Sequence, residues 1–228
     1  MTETVSFSIP SLIKRTVFLC LGLIIMAFGV AFSIKAALGT SPISSVPYVT
    51  GAISGLSVGT TTIIMNTLFV LIQILILRRQ YQWVQLLQLP AAVLFGMAID
   101  VAGWMIDGLT PTAYWQKWIV CLVGIFLVAL GVSVEVTARL ITTAGEGIVL
   151  AICQVAPVKF GNMKMTFDLT LVALSIILSF TFLGHLDGVR EGTVAAAVLV
   201  GQLTKQLTKG RLPRMGKGSP FGRKKRLK

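Results

Sequence analysis

Two short polar stretches interrupt the apolar runs of this sequence and carry most of the side chains that could contact a solute. The first reads GTSPISS (39–45) and the second reads ITTAGEG (141–147). Each combines hydroxyl groups with a helix start, where unpaired N–H groups donate to a capping side chain or attract an anion. The candidate contacts are Thr40, Ser41, Ser44, Ser45, Thr142, Thr143 and Glu146. Solute binding and simple helix capping both remain open interpretations of these residues.

Acidic residues within apolar runs are candidates for coupling to a proton or cation, because ionisable groups at membrane depth are costly and mark ion pathways. The candidates are Glu135, Glu146, Asp168 and Asp100. Structural alternatives exist. Glu135 could pair with Arg139 four residues later, and Glu146 could complement the dipole of a helix that starts beside it. Asp168 could lie at a solvated helix end, and Asp100 is expected to face an outer vestibule.

Other reactive side chains are too few or too widely spaced for a catalytic, metal or cofactor site. His185 is the only histidine, and Cys20, Cys121 and Cys153 have no CxxC spacing. The sequence has no phosphate-binding loop, no HExxH motif and no nucleophile beside a base. We therefore expect no enzymatic activity, no metal and no cofactor.

The composition indicates a polytopic α-helical membrane protein. Of the 228 residues, 55% are hydrophobic and 12% are charged, whereas globular proteins have about 25% charged residues. Mean hydropathy is +0.86, and several runs approach the roughly 20 apolar residues that span a bilayer. These runs do not alternate with a period of two, which argues against a transmembrane β-barrel.

The apolar runs predict six transmembrane helices and two short helices. The predicted spans are 12–35, 58–77, 83–106, 115–138, 163–183 and 193–207. Pro90 is expected to kink the third span. The short helices, at 42–53 and within 139–157, cannot cross a bilayer. Each must lie in the interface or enter the membrane and return.

Basic residues cluster on one predicted side of the membrane. That side holds Lys14, Arg15, Arg78, Arg79, Lys159, Lys164, Lys205, Lys209 and Arg211, and the other holds Lys35, Lys117 and Arg190. Because cytoplasmic loops are enriched in lysine and arginine, both termini are predicted to be cytoplasmic. The net charge of +12 lies largely in the C-terminal tail, which ends GRKKRLK. That tail suits anionic lipid, whereas nucleic-acid binding is not expected because no binding module is present.

The two halves of the chain match at an offset of 102 residues. Gly22, Gly29 and Gly59 fall on Gly124, Gly131 and Gly161, and Asn66 falls on Asp168. Asn66 is thereby a further candidate for solute binding. Because each half has three spans, the second enters from the opposite side, which predicts an inverted repeat of the kind found in transporters. The predicted regions are a polar lead (1–11), two three-helix repeats (12–110 and 111–207) and a basic tail (208–228).

The stretches ALGTSPISSVPYV, SVGTTTIIMNTLFVLIQILILRR and ITTAGEGIVLAI resemble the YitT/YczE family of bacterial membrane proteins. The resemblance covers residues 12–207. It implies a multi-span protein of the bacterial inner membrane, of a poorly characterised family described as transporters or permeases. It supplies no substrate residues. Ala144, Gly145 and Glu146 replace the proline-containing pattern of the first half, so a symmetric site would be chemically unequal.

These features predict a secondary transporter or permease for a small polar solute, including an anionic one, held between the two short-helix starts. The expected partners are the lipid bilayer, a small-molecule or ion substrate, and anionic lipid at the basic tail. Homo-oligomerisation is left open. The alternative hypothesis is a non-transporting scaffold, accessory or sensor protein that acts through the tail.

Overall fold

The computed structural model of the chain describes residues 9–138 and 140–209, and every regular element in those ranges is helical. The α-helices are α1 (Ile9–Ala36), α2 (Pro42–Ser54), α3 (Val58–Leu77), α4 (Gln88–Met105), α5 (Tyr114–Ala138), α6 (Ala144–Val155), α7 (Phe160–Leu178) and α8 (Glu191–Lys209). Two 3₁₀ segments, Arg78–Gln80 and Trp83–Leu87, join α3 to α4, and a π-helical turn, Ser179–Leu183, follows α7. The all-α prediction is confirmed for the described residues.

Five helical stretches in the described ranges are long and apolar enough to cross a membrane. They are Leu12–Ala36, Val58–Gln80, Trp83–Met105, Tyr114–Ala138 and Phe160–Leu183. Helix α8 has 19 residues and would reach about 28 Å, but Glu191, Gln202 and Lys205 make it less apolar than the others. A multi-span membrane protein is therefore supported, whereas the sixth predicted span is not among these five.

The kink that the sequence predicted at Pro90 does not fall inside an α-helix. Helix α4 begins at Gln88, so Pro90 lies in its first turn. Backbone N–H groups there have no partner within the helix, and proline is tolerated. The irregular backbone lies before the proline instead, in the 3₁₀ segment Trp83–Leu87.

Much of the outer surface of the helical body is apolar, which suits contact with lipid. Leu75 is 71% exposed and Met97 is 59% exposed on long helices. Trp83, Trp104 and Trp115 are also exposed and lie at or near the ends of candidate spans. Tryptophan concentrates at this level, where the membrane meets water. The surface therefore agrees with a membrane location.

Glycines bring α1 and α5 into close contact. A methyl carbon built on Gly29 would lie 2.6 Å from the backbone nitrogen of Val128 and 2.7 Å from the carbonyl oxygen of Gly124. A methyl carbon built on Gly22 would lie 2.9 Å from the carbonyl oxygen of Gly131. The two backbones approach this closely because these positions have no side chain, which is the usual role of small residues between membrane helices.

The short helices α2 and α6 are enclosed by longer ones. Each packs against both α3 and α7, and about half of its residues are buried. The segment before α2 is held by the segment that leads into α8. The Thr40 N–H donates to the carbonyl of Gly188 at 3.0 Å, and the Gly192 N–H donates to the carbonyl of Leu38 at 2.7 Å. These bonds fix the first polar interruption against the second half of the chain.

Replacing Gly29 by alanine is expected to destabilise the protein, because the added methyl group meets backbone atoms of α5 that cannot rotate away. We expect the free energy of unfolding to fall by about 1–3 kcal/mol, measured as a lower melting temperature in detergent. Gly103→Ala is the matched control, since no atom lies within 4 Å of a methyl carbon at that position. Equal melting temperatures for the two variants would contradict a tight α1–α5 contact.

Candidate functional site

A cavity of about 340 Å³ lies where the eight α-helices meet, and its volume is in the range of small-molecule sites. Each α-helix contributes to the wall, and the first residues of α2 and α6 are part of it. Most of the wall is hydrocarbon. The larger apolar residues include Leu19, Leu23, Met26, Met65, Phe95, Val128 and Val132. Polar groups are concentrated at the starts of the two short helices and on the helices that follow them.

Polar residues of the wall form pairs that lie 102 positions apart in the sequence. Ser41, Ser44, Thr62 and Asn66 come from the first half of the chain, and Thr143, Glu146, Lys164 and Asp168 hold the matching positions in the second. The first half thus contributes uncharged hydrogen-bonding groups, whereas the second contributes charged groups as well. The two halves of the cavity wall are therefore unequal in chemistry.

Glu135 connects α5 to the start of α6. The residue is 4% exposed, and its Oε1 accepts a hydrogen bond of 2.9 Å from the backbone N–H of Thr143, which precedes α6. A carboxylate in this position satisfies an N–H group and complements the positive end of the helix. Glu135 also lines the cavity, and its Oε2 has no partner among the described residues. Arg139, the partner considered from the sequence, lies outside the described residues.

Glu146 lies in the first turn of α6 and lines the same cavity. It has electrostatic interactions with Glu135, Lys164 and Asp168, but no hydrogen bond or ion pair with a described residue. Lys164 instead pairs with Asp168 one turn later in α7, with 2.6 Å between Nζ and Oδ1. Within the described wall, Glu135 and Glu146 therefore have no basic side chain in direct contact.

Two amide side chains in the wall differ in their contacts. Asn66 is 8% exposed and has no hydrogen-bond partner among the described residues. Gln88 is held by Gln73, whose Nε2 donates to Gln88 Oε1 at 3.1 Å and to the carbonyl of Ala144 at 3.1 Å. Gln73 therefore ties α3 to α4 and to the start of α6. Asn66 retains its hydrogen-bonding capacity for the cavity.

The hydroxyl residues at the two helix starts do not act as side-chain caps. Ser41 and Thr143 occupy the N-cap positions of α2 and α6, and neither side chain forms a capping hydrogen bond. The Ser41 hydroxyl donates to the hydroxyl of Ser44 at 3.0 Å, and the first helical residue, Pro42, has no N–H to be capped. With Thr142, which also lines the cavity, these hydroxyls are available to a bound molecule.

Two hydroxyl candidates lie outside the cavity wall. Thr40 Oγ1 donates to the carbonyl of Gly188 at 3.3 Å, which adds to the backbone bond between the same two residues. Ser45 is fully buried, and its hydroxyl donates to the carbonyl of Pro42 at 2.8 Å within α2. Both side chains therefore hold the chain in place.

Asp100 also lies outside the cavity wall. Its carboxylate accepts hydrogen bonds from the Ser57 hydroxyl at 2.6 Å and from the Gly59 N–H at 2.8 Å. Ser57 is the N-cap residue of α3. Asp100 therefore joins α4 to the start of α3 and complements the positive end of that helix.

Four polar residues of the described cavity wall were not selected from the sequence as site residues: Lys164, Thr62, Gln88 and Thr204. Lys164 was assigned to the cytoplasmic charges that set the topology. The spacing of four residues between Lys164 and Asp168 was the signal that could have identified it, since it places both on one helix face. Thr62, Gln88 and Thr204 gave no comparable signal, because membrane helices often contain single hydroxyl and amide residues.

An ion pair links two segments at one end of the body. Lys35 Nζ lies 2.6 Å from Asp107 Oδ1. This hydrogen bond, together with the positive charge, holds the pKa of Asp107 below its ordinary value. The pair's contribution to stability is present above the ordinary pKa of aspartate and is lost as the pH falls through the lowered value. Because Asp107 is exposed, solvent screening keeps this contribution small.

Comparisons with known proteins agree with a membrane protein and assign no activity. The model of a family of unknown function, DUF6198, matches residues 13–209. The chain is 29% identical over 195 residues to the uncharacterized membrane protein YczE of Bacillus subtilis (strain 168), which covers 85% of each chain. It is 24% identical over 185 residues to the uncharacterized protein YyaS of the same bacterium, which covers 80% of this chain and 87% of YyaS. No solved structure matches the chain.

Replacing Asp100 by alanine is expected to lower the melting temperature in detergent. The carboxylate accepts two hydrogen bonds at the start of α3, and loss of a hydrogen bond to a charged group costs about 1.5–3 kcal/mol. Asp107→Ala is the matched control: it removes an exposed carboxylate, and we expect it to leave the melting temperature nearly unchanged. If Asp100→Ala melts at the wild-type temperature, the cap does not stabilise the fold.

Proposed function

The chain belongs to DUF6198, a family of unknown function, and from that premise we propose that it is a secondary transporter or permease. It would move a small polar solute across the bacterial inner membrane. The observation that carries the proposal is the cavity of about 340 Å³, with the starts of two short helices in its wall. Short or broken helices around a central cavity are typical of secondary transporters.

An inverted repeat is part of the proposal, and the glycine contacts support it. Two units related by a two-fold axis make reciprocal contacts. If one residue of the first unit contacts a given residue of the second, then the equivalents of these two residues are also in contact. Gly22 approaches Gly131, and Gly29 approaches Gly124. Because Gly124 and Gly131 are the counterparts of Gly22 and Gly29 at the offset of 102, this exchange is the one that a two-fold axis predicts.

Helix packing gives the same kind of support. Helix α2 of the first half packs on α7 of the second, and α6 of the second half packs on α3 of the first. Within the halves, α1 packs on α4 as α5 packs on α8. These pairs correspond if α1–α4 and α5–α8 are equivalent units, with α4 and α8 as the third span of each.

One pair of contacts is unequal, and we propose that it reflects alternating access. In the first half, a methyl carbon on Gly96 of α4 would lie 2.5 Å from the carbonyl oxygen of Gly59 of α3. Gly161 is the counterpart of Gly59, and Gly201 is that of Gly96 once a three-residue insertion aligns AAVLFG (91–96) with AAVLVG (196–201). At these two glycines of α7 and α8, no atom lies within 4 Å of such a carbon. A second state would close α7 on α8 and part α3 from α4.

In the proposal, the positive-inside rule indicates the side of the membrane to which the described conformation opens. Lys159 precedes α7, and Lys205 lies in the last turns of α8. If these residues are cytoplasmic, as their charge favours, then the separated ends of α7 and α8 face the cytoplasm. The described conformation would then be inward-facing, with both termini cytoplasmic.

We assign roles within the cavity on this basis. Solute contact is proposed for Ser41, Ser44, Asn66, Thr142, Thr143 and Glu146. Glu135 and Glu146 are proposed to couple to a proton or cation, because neither carboxylate has a basic partner among the described residues. Asp168 shares its charge with Lys164 at 2.6 Å, so its coupling role would require that pair to open.

The alternative is a non-transporting scaffold, accessory or sensor protein that acts through the basic tail, of which residues 210–228 lie outside the described residues. Uptake of a defined pool of labelled amino acids, amines, carboxylates and sugars into proteoliposomes separates the two functions. We expect the full-length protein and a variant without residues 210–228 to accumulate the same compounds, because the proposed solute contacts all lie before residue 210. Failure of both to accumulate any compound of the pool would favour the accessory function.

Replacing Gly161 by leucine is expected to abolish transport without loss of stability. The described state has room for the leucine side chain. The proposed second state would bring α8 against position 161, in the way that α4 contacts Gly59 in the described state. The measurement is uptake together with the melting temperature. Gly103→Leu is the matched control, since that position is equally open in the described state and should retain both. Normal uptake by Gly161→Leu would contradict closure of α7 on α8.

A further inference from the structure

We infer that the cavity is built for a monovalent organic cation with an apolar body, an assignment that rests on the proposed transport function and narrows its substrate class. Four observations carry it: the two carboxyl groups of the described wall, the groups at the two helix starts, the hydrocarbon content of the wall, and an amide without a partner.

The described wall carries two carboxyl groups that no basic side chain contacts directly. Lys164 and Asp168 offset each other across 2.6 Å, which leaves the carboxylates of Glu135 and Glu146. The starts of α2 and α6 each contribute about half a positive charge from the helix dipole. Two buried carboxyl groups that repel each other favour a bound positive charge between them, because a cation stabilises their ionised forms.

An anion is disfavoured by the groups at the helix starts. At α2, Pro42 has no N–H, and the Ser44 N–H donates to the carbonyl of Ser41 at 2.9 Å. At α6, Glu135 bonds the N–H that precedes the helix, and Glu146 lies in the first turn. An anion at α6 would therefore have to compete with two carboxyl groups for the positive end of the same helix.

The hydrocarbon content of the wall favours an organic cation over a metal ion. Calcium requires six to eight oxygen ligands at about 2.3–2.6 Å, whereas most of the surface of this wall is hydrocarbon. An organic cation buries its own hydrocarbon against such a surface. Phe95 adds an aromatic ring to the wall, and aromatic rings attract quaternary ammonium groups.

The amide of Asn66 is a separate indication of a ligand. Asn66 is 8% exposed, lines the cavity and has no hydrogen-bond partner among the described residues. Its amide donors and acceptor are therefore unused by the described residues and remain open to the cavity. A solute that brings a hydrogen-bonding group beside its cationic centre would satisfy this amide.

Equilibrium dialysis of radiolabelled trimethylphenylammonium against the purified full-length protein tests the inference. We expect saturable binding. Its uncharged carbon isostere, tert-butylbenzene, and an anion of similar size, benzenesulfonate, should compete at least about tenfold more weakly than the unlabelled cation. Glu135→Gln and Glu146→Gln should each weaken binding about tenfold or more. Glu191→Gln alters an exposed carboxylate at the start of α8 and is the matched control, which should bind as the wild-type protein does.

Glu146→Gln is the decisive variant, because Glu135 also holds the start of α6 and its replacement can unfold the protein. Melting temperatures identify variants that are folded. Absence of saturable binding, equal competition by benzenesulfonate, or full binding by folded Glu146→Gln would overturn the inference. Uptake into proteoliposomes distinguishes a failure of the inferred cation site from a failure of the proposed transport function. Cation binding without uptake of any solute contradicts transport alone, and uptake of another solute without cation binding contradicts the cation site alone.

Discussion

The constraint on which this structure depends is that a backbone N–H or C=O group cannot be left against lipid without a partner. Each unpaired group costs several kcal/mol in hydrocarbon, so a broken helix is tolerated only where protein or water covers its ends. The segments before α2 and α6 are two such breaks. Longer helices enclose both, and the cavity forms where the two breaks meet. The same requirement thus accounts for the burial of the short helices and for the polar groups at the centre of an apolar body.

Close approach of α1 and α5 makes this enclosure compact. Glycine at positions 22, 29, 124 and 131 lets the two backbones meet, which is how membrane helices gain contact where the hydrophobic effect is weak between them. The end of α5 then carries Glu135 to the start of α6. One carboxyl group therefore completes the backbone bonding at a helix start and also lines the cavity.

Similar packing in the two halves accompanies unequal chemistry. Positions 102 residues apart face the same cavity, yet Ser44 corresponds to Glu146, Thr62 to Lys164 and Asn66 to Asp168. The packing of the helices depends on the size and spacing of their residues. It therefore tolerates such exchanges as long as the polar groups face water or one another. The fold can therefore keep one arrangement of helices while one half of the cavity wall gains charge.

The sequence by itself determined the membrane class, the all-α architecture, the approximate bounds of five spans and the position of both short helices. Those features follow from local hydropathy, length and helix-start residues, which act within one segment. Tertiary structure alone decided which polar residues share the cavity. Thr142 lines it, whereas Thr40, its counterpart, bonds to Gly188. Asp100 holds the start of α3, and Lys164 turns toward Asp168 and the cavity. Spacing cannot distinguish these cases, because a side chain's partner depends on how eight separate helices meet, and that is set by packing across the whole chain.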